Sequence, residues 1–188
     1  MESAAHGKLK QARIENSAFA PSPAQKLLEP ATKCDRAEWT RWLAEAANEV
    51  FELIVNVSLT RRDAKAGSEV FELCALVGMA GDICGVLSLR CSGYCGRRIA
   101  LTMRRTVVSE GDSSVLDAFG EVCNTIAGSF KAKIPGFSDG CMLSVPTVIS
   151  GKNYVVHSLG ESERIMVPVE IANEPLSITL DLHSPLLS

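Results

Sequence analysis

Apolar side chains recur at helical spacing in two long segments of the chain. The first covers residues 36 to 55, and Asp35-Arg-Ala-Glu38 before it has the spacing of a capping box with Asp35 as the cap. The second runs from about 113 to 133, and its apolar stripe consists of Val115, Phe119, Val122 and Ile126. A shorter helix is predicted from about 93 to 105. The pattern therefore predicts two long helices and one short helix.

Six other segments show the alternation or apolar content of β-strands. They cover residues 70–79, 83–91, 141–149, 154–159, 164–171 and 176–183, and Ala80-Gly81-Asp82 is a plausible hairpin turn between the first two. In the last segment one side of the strand points inward, Leu176, Ile178, Leu180 and Leu182, and the other outward, Ser177, Thr179 and Asp181. Because the strands come in pairs and runs, we expect an α+β fold, a largely antiparallel six-stranded sheet with the helices packed on it.

The domain is expected to begin at residue 35 and to extend to residue 188. Residues 1–34 are dominated by Ala, Ser, Pro and Lys, and Pro21, Pro23 and Pro30 interrupt any helix there. We therefore predict a disordered N-terminal tail followed by one domain. The apolar fraction of 46% is sufficient for a hydrophobic core of ordinary size.

Charge and cysteine usage exclude several classes of protein. The net charge of −3 comes without a basic stripe, which gives no support to nucleic-acid binding. No run of about 18 apolar residues predicts a membrane span, and no secretory signal is recognised. The seven cysteines lie mostly within apolar patterns, so we expect reduced, buried thiols in a cytoplasmic protein. Cys91 and Cys95 form the one close pair and leave a thiol redox or metal protein as a weaker alternative.

The second long helix carries polar side chains opposite its apolar stripe. At about 100° per residue, with Val115 at zero, a second set of residues clusters between roughly 180° and 240°; it consists of Asp117, Glu121, Asn124 and Gly128. This face is expected to be exposed, and exposed polar residues commonly have no function. Asp117 has a further explanation, because Ser114-Val-Leu-Asp117 resembles a capping box. Gly128 costs a helix about 1 kcal/mol relative to alanine and would let another surface approach closely.

The motif D-x-x-x-E-x-x-N followed by a small residue resembles the active-site helix of the CheC/CheX/FliY phosphatases, which act on the phosphorylated response regulator CheY. Ser144-Val-Pro-Thr-Val-Ile-Ser-Gly151 is similar to the S-x-P-T-V-I-x-G segment of CheX-like domains. Glu49-Val-Phe-Glu52 resembles the family's opening helix, so the similarity covers roughly residues 36 to 183.

CheC-type members carry two copies of the E-x-x-N signature, and CheX-type members carry one. Glu45-Ala-Ala-Asn48 has that spacing, but Arg41 stands where an Asp or Ser should precede it. We interpret this second match as a coincidence, because two common residues make a weak motif. The single full motif favours the CheX type.

The resemblance implies a role for each residue of the motif. Asn124 would orient the water that attacks a receiver-domain aspartyl phosphate, Glu121 would pair with the receiver's lysine, and Asp117 and Gly128 would support them. It implies no metal or cofactor of the protein's own, Mg²⁺ on the receiver partner, and a homodimer joined through strand contacts. The alternative that remains open is a non-catalytic CheX-like adaptor or dimerisation module that binds receiver domains.

Overall fold

A computed structural model describes residues 35–63, 70–104, 113–135, 140–152, 154–157 and 162–183. The predicted tail, residues 1–34, lies outside these residues. The helices are α1, Arg36–Val50, continued by one π-helical turn, Phe51–Val55, then α2, Gly93–Arg104, and α3, Ser113–Lys133. The strands are β1 (Thr60–Arg61), β2 (Leu73–Gly81), β3 (Gly85–Cys91), β4 (Cys141–Leu143), β5 (Thr147–Ser150), β6 (Ser162–Ile171) and β7 (Glu174–His183).

The strands form one antiparallel sheet in the order β1-β6-β7-β3-β2-β4, and β5 also pairs with β2. Helix α3 packs against α1, α2 and β2, and α1 also contacts β6. The core lies between these helices and the facing side of the sheet, which is formed by residues such as Ala75, Leu87, Leu89, Ile178 and Leu180. The predicted α+β class and helix-on-sheet architecture are confirmed.

Local interactions determine where helix α1 begins and ends. The Asp35 carboxylate accepts a hydrogen bond from the Ala37 backbone N–H at 3.0 Å, so the predicted cap is confirmed. The first turn of α1 also carries an ion pair, with Glu38 Oε1 3.5 Å from Arg41 Nη2. After the π-helical turn, Asn56 adopts a left-handed backbone conformation with φ 55° and ends the helix.

Two predicted strands differ from the structure, and one strand was not predicted. The predicted strand 141–149 is divided into β4 and β5 by residues 144–146, where Pro146 cannot donate a ladder hydrogen bond. Residues 154–157 are not a strand, although Tyr154-Val-Val is rich in β-formers, and residues 158 and 159 lie outside the described part. Just before this segment, the Gly151 N–H donates to the carbonyl of Glu72, the residue that precedes β2, at 2.9 Å. Strand β1 was not predicted, because two polar residues carry no alternation.

Ser177 and Thr179 point away from the helices, as predicted, but they are not exposed to water. Both side chains lie on the sheet face opposite the helices, yet they are only 4% and 1% exposed. The cross-strand neighbours of Ser177 are Arg90 and Pro168, and those of Thr179 are Met166 and Ser88. The longer side chains of Arg90 and Met166 shield the two hydroxyl groups from water on this face.

Candidate functional site

The polar face of α3 is exposed, as the helical arithmetic predicted. Asp117, Glu121 and Asn124 are exposed and Gly128 is half-buried. The opposite side of the helix is buried in the core, with Phe119, Val122 and Ile126 each 0% exposed and Val115 6%. The structure therefore brings the four predicted site residues together on one solvent-facing surface.

The polar side chains on this face have no bonding partner in the described residues. Within the described part of the chain, the side chains of Asp117, Glu121 and Asn124 make no hydrogen bond or ion pair. The capping-box explanation for Asp117 is wrong, because α3 begins at Ser113 and Asp117 lies in the second turn. These polar groups are thus not used to hold the fold.

One flank of the site is the segment that resembles S-x-P-T-V-I-x-G. Ser144 joins it to β2, since its Oγ accepts from the Gly78 N–H at 2.8 Å and its N–H donates to the Gly78 carbonyl at 2.9 Å. A Cβ on Gly120 would stand 3.1 Å from Val148 Cγ2 and 3.6 Å from Pro146 Cβ. The glycine at position 120 therefore lets this segment pack closely against α3.

Gly128 differs from Gly120 in its surroundings. A Cβ at position 128 would meet no atom within 4 Å. Because the interior of a helix is destabilised by glycine, and no internal contact requires one here, the fold gives no reason for this residue.

Contacts between α1 and α3 fix the other flank. Lys133 Nζ lies 2.6 Å from Glu49 Oε1, and the Ser129 hydroxyl donates to Glu49 Oε2 at 3.2 Å. The hydrogen bond from Lys133 lowers the pKa of Glu49 below its ordinary value. Trp39 of α1 packs edge-on against Phe130 of α3, with ring centroids 5.7 Å apart. These contacts hold α3 at a fixed angle to α1.

A hollow of about 360 Å³ opens beside the exposed face of α3. Ile54 of the π-helical turn, Met103 of α2 and three residues of α3 line it, Asp117, Ala118 and Glu121. The sequence pattern identified Asp117 and Glu121 but not Ile54 or Met103. No periodicity connects these two residues to the motif, because they come from other elements.

The second E-x-x-N match has a structural role. Asn48 Oδ1 accepts from the Leu59 backbone N–H at 3.2 Å, and its Nδ2 donates to Glu52 Oε1 at 2.9 Å. Glu45 Oε1 lies 4.0 Å from Arg41. The Asn48 amide thus ties the segment after α1 to the helix, and this use agrees with the interpretation of the second motif as a coincidence.

The described cysteines are all free thiols, five buried and Cys84 half-buried. Burial raises the pKa of Cys91 well above its ordinary value, and a hydrogen bond from Cys91 lowers that of Cys95. No group of three or more His, Cys, Asp or Glu residues that could hold a metal ion occurs among the described residues. No helix in the same part of the chain is long and apolar enough to span a membrane.

The antiparallel sheet with its three helices has the CheC/CheX fold. The family profile described as chemotaxis phosphatase CheX matches residues 73–170, and the chain belongs to this family. No curated protein matches the sequence.

Solved structures show the same fold. The chemotaxis protein CheX from Vibrio vulnificus superposes with a TM-score of 0.69 at 20% identity, over 79% of this chain and 98% of that one. The CheX of the CheX–CheY–BeF3–Mg²⁺ complex from Borrelia burgdorferi gives 0.64 at 18% identity, over 78% and 98%. FliY from Thermotoga maritima gives 0.57 at 17% identity, over 82% and 91%.

Asn48→Ala should lower the free energy of unfolding by about 1–2 kcal/mol, because it removes two hydrogen bonds, one of them to a part-buried backbone N–H. Urea denaturation followed by circular dichroism measures this. Glu45→Gln, on the same helix face, should change stability by less than about 0.5 kcal/mol. Equal stability of the two variants would contradict a structural role for Asn48.

Proposed function

We propose that this protein accelerates hydrolysis of the aspartyl phosphate of a CheY-like receiver domain, with Asn124 as the catalytic residue. The observation that carries the proposal is an exposed amide in the middle of α3, without a partner in the described chain, in a member of the CheX family. The Borrelia burgdorferi structure, in which CheX is bound to CheY with BeF3 and Mg²⁺, supports a receiver domain as the partner. Such a partner would place the protein in the cytoplasm.

The chemistry requires a positioned water more than a strong base. In the reaction the water oxygen forms a bond to phosphorus, the bond from phosphorus to the aspartyl oxygen breaks, and inorganic phosphate and a free carboxylate result. The carbonyl of Asn124 can accept a hydrogen bond from the water, and its NH₂ group can donate to a neighbouring oxygen. A carboxylate there would repel the phosphoryl oxygens. Positioning of this kind can lower a barrier by several kcal/mol.

Glu121 is placed to dock the helix on the receiver. It lies three residues before Asn124, so the two side chains are neighbours on the surface of α3. By family resemblance its carboxylate would pair with the receiver's lysine and bring Asn124 to the phosphorylated aspartate. Mg²⁺ is expected on the receiver, where it offsets the negative charge of the phosphoryl oxygens.

Asn124→Ala should reduce the stimulated rate of phosphate release by about 10²-fold or more, because the water loses its orienting amide. Phosphate release from a phosphorylated receiver measures this, and titration calorimetry should show that binding is largely retained. Asn48→Ala, the same change in the other E-x-x-N sequence, is the control and should keep stimulation. If the wild-type protein binds receivers without shortening the lifetime of the phosphoryl group, the non-catalytic adaptor is correct instead.

Gly128→Ala should have opposite effects on stability and on activity. Alanine is favoured in the helix interior by about 0.5–1 kcal/mol, and its Cβ meets no atom within 4 Å, so the free energy of unfolding should rise. The added methyl group should hinder close approach of the receiver and raise KM. In the control, Gly120→Ala, a Cβ 3.1 Å from Val148 should cancel the stability gain. Unchanged kinetics in Gly128→Ala would show that Gly128 is not part of the surface that contacts the receiver.

We also propose a homodimer joined through the outer edge of β6. Among the described residues, β1 pairs with Val169 and Glu170 of β6, the Arg62 N–H donates to the Pro168 carbonyl, and Arg36 donates to the Arg164 carbonyl at 2.8 Å. The remaining edge is a template for strand pairing. Light scattering after size-exclusion chromatography should give twice the mass of one chain, and a monomer mass at micromolar concentration would contradict the proposal.

A further inference from the structure

The hollow beside the exposed face of α3 is lined by both acidic and apolar side chains. Ile54 and Met103 are half-buried and Ala118 is 4% exposed, so they form an apolar lining. Asp117 and Glu121 supply two carboxylates to the same space. The volume, about 360 Å³, is large enough to admit a long side chain from a partner surface.

In the part of the chain that the structure describes, the two carboxylates have no counterion. Neither Asp117 nor Glu121 makes an ion pair within the described residues. They are four residues apart on one helix, where like charges repel each other. The arrangement thus weakens the isolated helix, and a cation brought by a partner would relieve the repulsion.

Docking increases the energetic cost of leaving the two carboxylates without a cation. When a partner surface covers α3 and excludes water, each carboxylate without a cation is strongly destabilising. One receiver lysine paired with Glu121 would leave Asp117 uncompensated. The apolar lining suits the methylene stem of a lysine or arginine, which can pack on Ile54 and Met103 while its charged end reaches a carboxylate.

We propose that this hollow binds a second cationic side chain of the receiver, lysine or arginine, with Asp117 as its counterion. The inference rests on the proposed function, because it assumes that a receiver docks on α3. It makes Asp117, Ile54 and Met103 determinants of which receivers bind. A receiver with an acidic or apolar side chain at the matching position would dock more weakly.

The test compares the kinetics of hollow variants over a series of salt concentrations. Asp117→Asn should raise KM for the phosphorylated receiver about tenfold at low salt, leave kcat close to wild type, and lose much of the difference at high salt. Glu45→Gln removes a charge on α1, outside the hollow, and should leave KM unchanged. Circular dichroism checks that each variant is folded.

A second variant places a cation in the hollow from within the chain. The new lysine in Met103→Lys should pair with the carboxylates of the hollow. It should thereby exclude the receiver's cation and also raise KM. Thr102→Lys adds the same charge to the neighbouring exposed position of α2, outside the hollow, and should not raise KM. Agreement between Asp117→Asn and Met103→Lys, with both controls unchanged, supports the inference.

The outcomes separate this inference from the proposed function. If Asn124→Ala abolishes stimulation while Asp117→Asn and Met103→Lys keep the wild-type KM and salt dependence, the cation-binding hollow is wrong and the phosphatase stands. If the wild-type protein binds receivers but does not speed phosphate release, the phosphatase is wrong, and weaker binding by Asp117→Asn in calorimetry still supports the hollow. Absence of any receiver binding overturns both.

Discussion

Burial of the apolar stripe of α3 determines what the rest of the molecule presents to solvent. Phe119, Val122 and Ile126 are completely buried, and each contributes roughly 1.5–3 kcal/mol through removal from water. Rotating the helix by one residue, about 100°, would expose this stripe and bury the charged face. The orientation of Glu121 and Asn124 toward solvent therefore follows from the core and not from any contact of their own.

The position of α3 is then restricted by contacts at both flanks. On one side Gly120 admits Val148 and Pro146 to van der Waals distance, and on the other the Lys133–Glu49 pair joins α3 to α1. A residue that positions a water molecule must itself be held within a fraction of an ångström, and sites on helices meet this requirement better than sites on loops. The packing thus provides a rigid support for an exposed motif.

The sequence predicts those parts of the fold that depend on local periodicity. The bounds of α3 and of α1 with its π-helical turn agree with prediction, because their apolar residues repeat over several turns. The predictions fail where β-forming composition is not enough: Pro146 lacks the N–H that a continuous ladder needs and divides one strand, and residues 154–157 stay outside the sheet despite their β-formers. The site shows the same division. The exposed face follows from the helical repeat, whereas the difference between Gly120 and Gly128, the use of Asn48 and the lining of the hollow depend on residues far apart in the sequence.

The features that weaken α3 are concentrated on one face. Asn124 is a poor helix former, Asp117 and Glu121 repel each other, and Gly128 fills no internal space, yet the buried side of the same helix is well packed. If these residues served stability, their side chains would form hydrogen bonds or ion pairs within the protein. None of them does so within the described chain. Local rules of stability are commonly broken where function requires it, and each departure here matches a requirement of the proposed docking: an uncharged group for a water, carboxylates for cations, and a gap for close approach. Under the proposed function, this face is one half of a site that the phosphorylated receiver completes.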